Sequence, residues 1–213
     1  MRKTKVTYGK VFRNYLNKGV KLERYQKIGV GFLVWVFAGM VGWIYEVILV
    51  AVMHGQFYMK GGNILPWMNI YAIGALLVIP VVYKMRRYPW VVFVVAAFVT
   101  GTVELIGGYL VYTVGNGLRY WDYTNEPWGI GNINGFVCPA SAAVFGLGSL
   151  LLMYWLLPFC IYLAQKMTRR AFLTFSISLF AIIMVDELTN LTLKNLDLPT
   201  AMDFYRAVGF RYL

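Results

Sequence analysis

Four carboxylates stand where carboxylates are costly. Glu46, Glu104, Asp186 and Glu187 interrupt long apolar runs, and they are four of the nine acidic residues in the chain. An unpaired charge deep in a bilayer costs several kcal/mol, so an acid in such a run marks a group that binds something: a cation, a proton or a polar solute. The alternative is a set of buried hydrogen-bonded pairs that only hold helices together, with Asn190, Thr189, Tyr45 or tryptophan indoles as partners. Asp186 and Glu187 lie about 100° apart on a helix and cannot both point inward equally. Asp186 is the better candidate, because Asn190 follows it at i+4 on the same face. Gly39 and Gly42 near Glu46, and Gly101, Gly107 and Gly108 near Glu104, would let helices approach closely and turn the acids toward the interior. Glu46, Glu104, Asp186 and Asn190 are therefore the expected substrate- or ion-binding set.

Other chemistries find less support. A single histidine, His54, precludes a multi-histidine metal site and reads as an interfacial polar residue. Cys138 and Cys160 lie in apolar stretches about one helix length apart, without metal-ligand spacing, and read as core. There is no Gly-rich phosphate loop, so the chain does not itself hydrolyse ATP. No cofactor and no metal are expected, and no nucleophile stands beside a base, which argues against catalysis.

The elements that must position the acids follow from composition. The 213 residues are 60% apolar and 14% charged, with mean hydropathy +0.61, where a soluble domain carries about 25% charge. A soluble enzyme is excluded. Apolar runs at about 28–53, 64–83, 90–114, 137–163 and 171–193 predict an all-α polytopic membrane protein, a bundle of about five helices. Their length without period-2 alternation excludes barrel strands.

Fifteen of the twenty Lys and Arg residues fall in 1–27, 84–89 and 164–170. The positive-inside rule then places the N-terminus in the cytoplasm and, after five spans, residues 194–213 outside as a short tail. This accounts for the net charge of +11 without nucleic acid. In the arm 1–27, Tyr8, Val11, Phe12, Tyr15 and Leu16 share one helical face opposite Lys10, Arg13 and Lys18, a pattern suited to the anionic inner leaflet. Glu46, Glu104 and Asp186 would all sit roughly 10–15 Å below the outer ends of their helices.

The longest connection, Gly115 to Pro139, joins Arg119 and Asp122 to Tyr120, Trp121, Tyr123 and Trp128, rings that favour a membrane interface. It reads equally as a lid over the outer mouth and as an interfacial belt. Asn134 and five glycines would serve backbone that re-enters the membrane. A loose echo links Gly42 to Glu46, Asn63 to Pro66 and Gly74 with Gly101 to Glu104, Asn134 to Pro139 and Gly146. The spacings differ by a residue or more, which leaves coincidence as the simpler cause.

Three segments carry a family resemblance: Gly42-Trp43-Ile44-Tyr45-Glu46, Asn69-Ile70-Tyr71-Ala72-Ile73-Gly74-Ala75, and Arg119-Tyr120-Trp121-Asp122-Tyr123-Thr124 followed by Asn132-Ile133-Asn134-Gly135. Over roughly residues 35–190 the chain resembles the small bacterial integral membrane proteins grouped as ABC-transporter type IV permeases. It departs from their pattern where Lys60-Gly61-Gly62 and Leu65-Pro66 replace an Arg-Gly turn and a Gly-Pro pair. The resemblance implies transport at a bacterial plasma membrane, with a separate ATPase or other membrane subunit as partner. It draws attention to Glu46, Arg119, Trp121, Asp122, Tyr123, Asn134 and Gly135.

The expected function is thus a membrane transport component that takes a small polar or cationic solute into an outward-facing pocket of carboxylates under the aromatic loop. The alternatives are an intramembrane enzyme acting on a lipid or lipid-linked substrate, with carboxylates as acid and base, and a non-catalytic membrane partner. Short cytoplasmic connections leave little room for a docking helix of the kind an ATPase engages.

Overall fold

The computed structural model describes residues 6–59 and 61–211; Lys60 and the side chain of His54 lie outside the described set. The helices are α1 (Tyr8–Asn17), α2 (Arg24–His54), α3 (Asn69–Val82), α4 (Pro89–Val114), α5 (Pro139–Leu151), α6 (Leu157–Lys166), α7 (Arg169–Asn195) and α8 (Ala201–Ala207). An isolated β-bridge joins Ile133 and Val137. The fold is all-α.

Four segments are long and apolar enough to cross a membrane: Arg24–Met53, Pro89–Val114, Pro139–Lys166 and Arg169–Asn195. The third is α5 and α6 joined by a π-helical stretch, Leu152–Leu156. Pro158 explains the stretch, since it cannot donate to the carbonyl four residues back and its ring crowds that turn. The span expected at 64–83 is different. Its helix starts only at Asn69 and has 14 residues, about 21 Å at 1.5 Å per residue and too short for a crossing of about 30 Å. Pro66 forces extended backbone on Leu65 before it, and residues 64–68 are irregular. Pro80 weakens the far end, which tightens into a 3-10 turn at Tyr83–Met85.

The chain forms two compact units, one of residues up to Leu76 together with Leu156 onward, the other Leu77–Trp155. In the first unit α2 packs on α7 and α6. Gly29 leaves room for the Phe172 ring, and Phe32 stacks on Phe180 at 4.4 Å. Val36, Trp67, Ala72 and Ile183 form the adjoining core. The arm forms α1, but its apolar face is spent within the protein: Val11 and Tyr15 are buried, α1 packs on α6, and Tyr8 sets its edge on Tyr162 at 5.9 Å. In the second unit α4 and α5 pack closely because Gly101 faces Ala142 and Gly146 faces Phe93 and Ala97.

Residues 194–213, expected as a simple tail, include α8, capped by Thr200 and Asp203. The segment folds back on the connection 55–68. The Met59 amide donates to the Arg211 carbonyl at 2.8 Å, the Tyr205 hydroxyl donates to the Ile64 carbonyl at 2.5 Å, and Arg211 bonds Gln56.

Candidate functional site

In the first unit the connection 55–68 turns back alongside α2. The Met68 amide donates to the Gly39 carbonyl at 3.2 Å, and the Trp67 indole donates to the Trp35 carbonyl at 3.4 Å. Gly39 lies fifteen residues before His54, about 22 Å along the helix axis. Irregular backbone at such depth must find internal hydrogen-bond partners. Asp186 supplies them: its carboxylate accepts from the Ile64 amide at 3.1 Å, the Leu65 amide at 2.8 Å and the Asn190 side-chain amide at 2.8 Å. Asn190, buried, accepts in turn from the Ala201 amide at the start of α8. Glu187 accepts from Asn63 at 2.6 Å and Asn69 at 3.4 Å, one on each oxygen. Both neighbouring acids of α7 are thus engaged, each by its own part of the connection.

Glu46 differs. The Tyr71 hydroxyl donates to its Oε1 at 2.5 Å, and among the described residues its Oε2 has no hydrogen-bond partner. Tyr71 comes this close because Gly42, one turn before Glu46, has no side chain; a Cβ there would run into the Tyr71 ring. Tyr45 meets Tyr71 edge-on at 6.1 Å.

The second unit places Glu104 in comparable surroundings of its own. Its Oε1 accepts from the Tyr123 hydroxyl at 2.7 Å and its Oε2 from the Ser141 hydroxyl at 2.9 Å. The connection 115–138 also descends along its helix, with Phe136 against Gly108 and Val137 against Gly101. Burial, and then the adjacent Glu104 carboxylate, hold the Tyr123 phenol far above its usual range.

The motif residues of this connection bind one another. Arg119 donates to Asp122 at 3.2 Å and to the Asn134 carbonyl at 2.9 Å, and its guanidinium lies 4.6 Å from the Phe136 ring centre. Asp122 accepts from the Thr124 hydroxyl at 2.6 Å and amide at 2.9 Å, which with Arg119 hold its carboxyl below the usual range. Trp121 donates its indole N–H to the Phe136 carbonyl at 2.8 Å, and Asn134 bonds the Tyr109 hydroxyl. Gly135 is required at its position. Its φ of 75° is left-handed, and a Cβ would fall among Asp122, Thr124 and Arg119. The geometry is that of a closed knot.

Sequence reading missed the donors Tyr71 and Ser141 and the backbone amides of Ile64 and Leu65, and it singled out Tyr123 as a motif residue without pairing it to Glu104. Tyr71 and Tyr123 fall inside the quoted motifs, which was the only available signal. The amides carry no residue-type signature at all.

Long apolar helices that bury carboxylates against returning connections define a multi-pass membrane protein. The chain belongs to the family described as "Putative ABC-transporter type IV", whose profile matches residues 33–191. Its role is accordingly related to membrane transport. No curated protein and no solved structure matches the chain.

Proposed function

We propose that this protein is a transport component of the bacterial plasma membrane, with its Lys- and Arg-rich end in the cytoplasm, and that Glu46 is the carboxylate that receives a cationic solute or a coupling proton. One observation carries the reading. Of the four acids in apolar helices, Asp186, Glu187 and Glu104 have both oxygens hydrogen-bonded, whereas Glu46 leaves Oε2 open among the described residues. A carboxylate with unspent acceptor capacity in a low-dielectric span gains most from a cation or proton. The other three, with Asn190, then serve to hold the two returning connections. An energising ATPase, if the protein is ATP-coupled, is a separate chain.

The test is flux in proteoliposomes, followed with a pH-sensitive dye and with radioactive sodium as probes. Glu46→Gln should abolish a flux that the wild type supports, with normal folding and yield. Asp186→Asn should instead lower stability. Unchanged flux in Glu46→Gln refutes the assignment. A wild type inert to both probes, with both variants altered only in stability, favours the second reading, a non-catalytic membrane partner, to which the fully bonded acids also lend support.

A further inference from the structure

The end of the first unit around α1 is strongly basic, and its cations are unusually free. Lys10 and Arg13 project from α1, Lys18 and Lys21 from the segment that follows, and all are exposed. The adjoining corner between α6 and α7 adds Lys166, Arg169 and Arg170, also exposed. The neighbouring carboxylate, Glu23, is occupied as the cap of α2, where it exchanges hydrogen bonds with the Gln26 position. The ion pair of Arg119 with Asp122 lies elsewhere in the chain.

Two of these cations are held in place by rings instead of carboxylates. Lys166 lies 5.2 Å from the centre of Tyr162, whose ring Tyr8 also meets, and Arg169 lies 5.0 Å from the centre of Tyr25. A ring face attracts a cation without consuming its N–H donors. Lys166 and Arg169 are therefore positioned while their hydrogen-bonding capacity stays available to an anion. The packing of α1 on α6 through Val11 and Tyr15 also matters. It buries the centre of the apolar face that would have entered the lipid, which leaves the exposed charges as the main contribution of this surface to membrane contact.

We propose that this surface binds the phosphate groups of anionic phospholipids, with Lys166 and Arg169 as the ring-held ligands and α1 as a basic flap folded against α6. Phosphate suits the site because Arg can contact it through two N–H groups and Lys adds a point charge. The proposal does not depend on transport by Glu46, and the experiment below reads no flux.

The full-length protein in nanodiscs would be assayed for phosphatidylglycerol binding against phosphatidylcholine, by native mass spectrometry and by thermal unfolding. Each basic residue near an anionic surface contributes about 1 kcal/mol, so the double variant Lys166→Gln/Arg169→Gln should bind phosphatidylglycerol about thirtyfold more weakly. Lys194→Gln, on α7 but at its other end, serves as the control and should not change it. The preference for phosphatidylglycerol should also shrink as salt is raised. Equal binding of the two lipids, or a double variant indistinguishable from wild type, overturns the proposal. So does stabilisation by inorganic phosphate alone to the same degree, which would assign the site to a free anion, or by polyglutamate but not by lipid, which would assign it to an acidic protein.

Discussion

Replacing Asp186 should release the connection 55–68 more than any other single change. In Asp186→Ala the amides of Ile64 and Leu65 and the side chain of Asn190 lose their common acceptor. Hydrogen bonds to a charged group contribute about 1.5–3 kcal/mol each. Ile64 is exposed and the carboxylate is only half-buried, so the sum must be discounted, to about 3 kcal/mol. That corresponds to about a hundredfold faster amide exchange in residues 55–68, if exchange proceeds by local opening. Asp186→Asn retains one acceptor oxygen and should give about a tenfold change. Hydrogen–deuterium exchange with peptide-level mass spectrometry reads both, with α4 peptides as the internal reference. Unchanged exchange of 55–68 in Asp186→Ala would refute the argument that this acid exists to satisfy returning backbone.

Further outcomes follow from the same contacts. Gly42→Ala should destabilise the protein by about 1–3 kcal/mol through overlap with Tyr71, whereas Gly74→Ala, with nothing near its Cβ, should be neutral or slightly stabilising; thermal unfolding compares them. Tyr205→Phe removes the bond to the Ile64 carbonyl and should raise exchange in 55–68 by up to about tenfold, one hydrogen bond's worth. Because the folded state lowers the Asp122 carboxyl below its usual range, the knot's stability is complete above the unfolded value, about pH 3.9, and is lost as pH falls through the lower folded value. Trp121 fluorescence should report that loosening in acid, and Asp122→Asn should abolish the transition. For Tyr123 the sign reverses. Its raised phenol contributes stability that is complete below about pH 10 and is lost above it, so ultraviolet titration should find Tyr123 still neutral at a pH where a free phenol ionises.

Hydropathy and length made the long helices legible, and charge made the four acids conspicuous against them. The 3.6-residue period also showed that Asp186 and Asn190 share a face, where they hydrogen-bond at 2.8 Å. The short α3 was not legible. Residues 64–68 are as apolar as the helix they precede, and what diverts them is Pro66 together with an acceptor on α7, more than a hundred residues away. What the arm's apolar face meets was not legible for a related reason. A face of Tyr8, Val11, Phe12, Tyr15 and Leu16 has the same spacing whether it meets lipid or α6, and only the fold decides. Composition likewise could not distinguish Glu46 from Glu104, since the difference is one serine hydroxyl from a distant helix.

The most direct measurement is the reactivity of the four acids toward a lipid-soluble carbodiimide in the membrane, mapped by peptide mass spectrometry. The reagent needs a carboxyl group that can take up a proton and is not fully committed to other donors. The account predicts modification concentrated at Glu46 and reduced by sodium, with Glu104, Asp186 and Glu187 largely unmodified. Modification spread evenly over the four, or absent from Glu46, would contradict it.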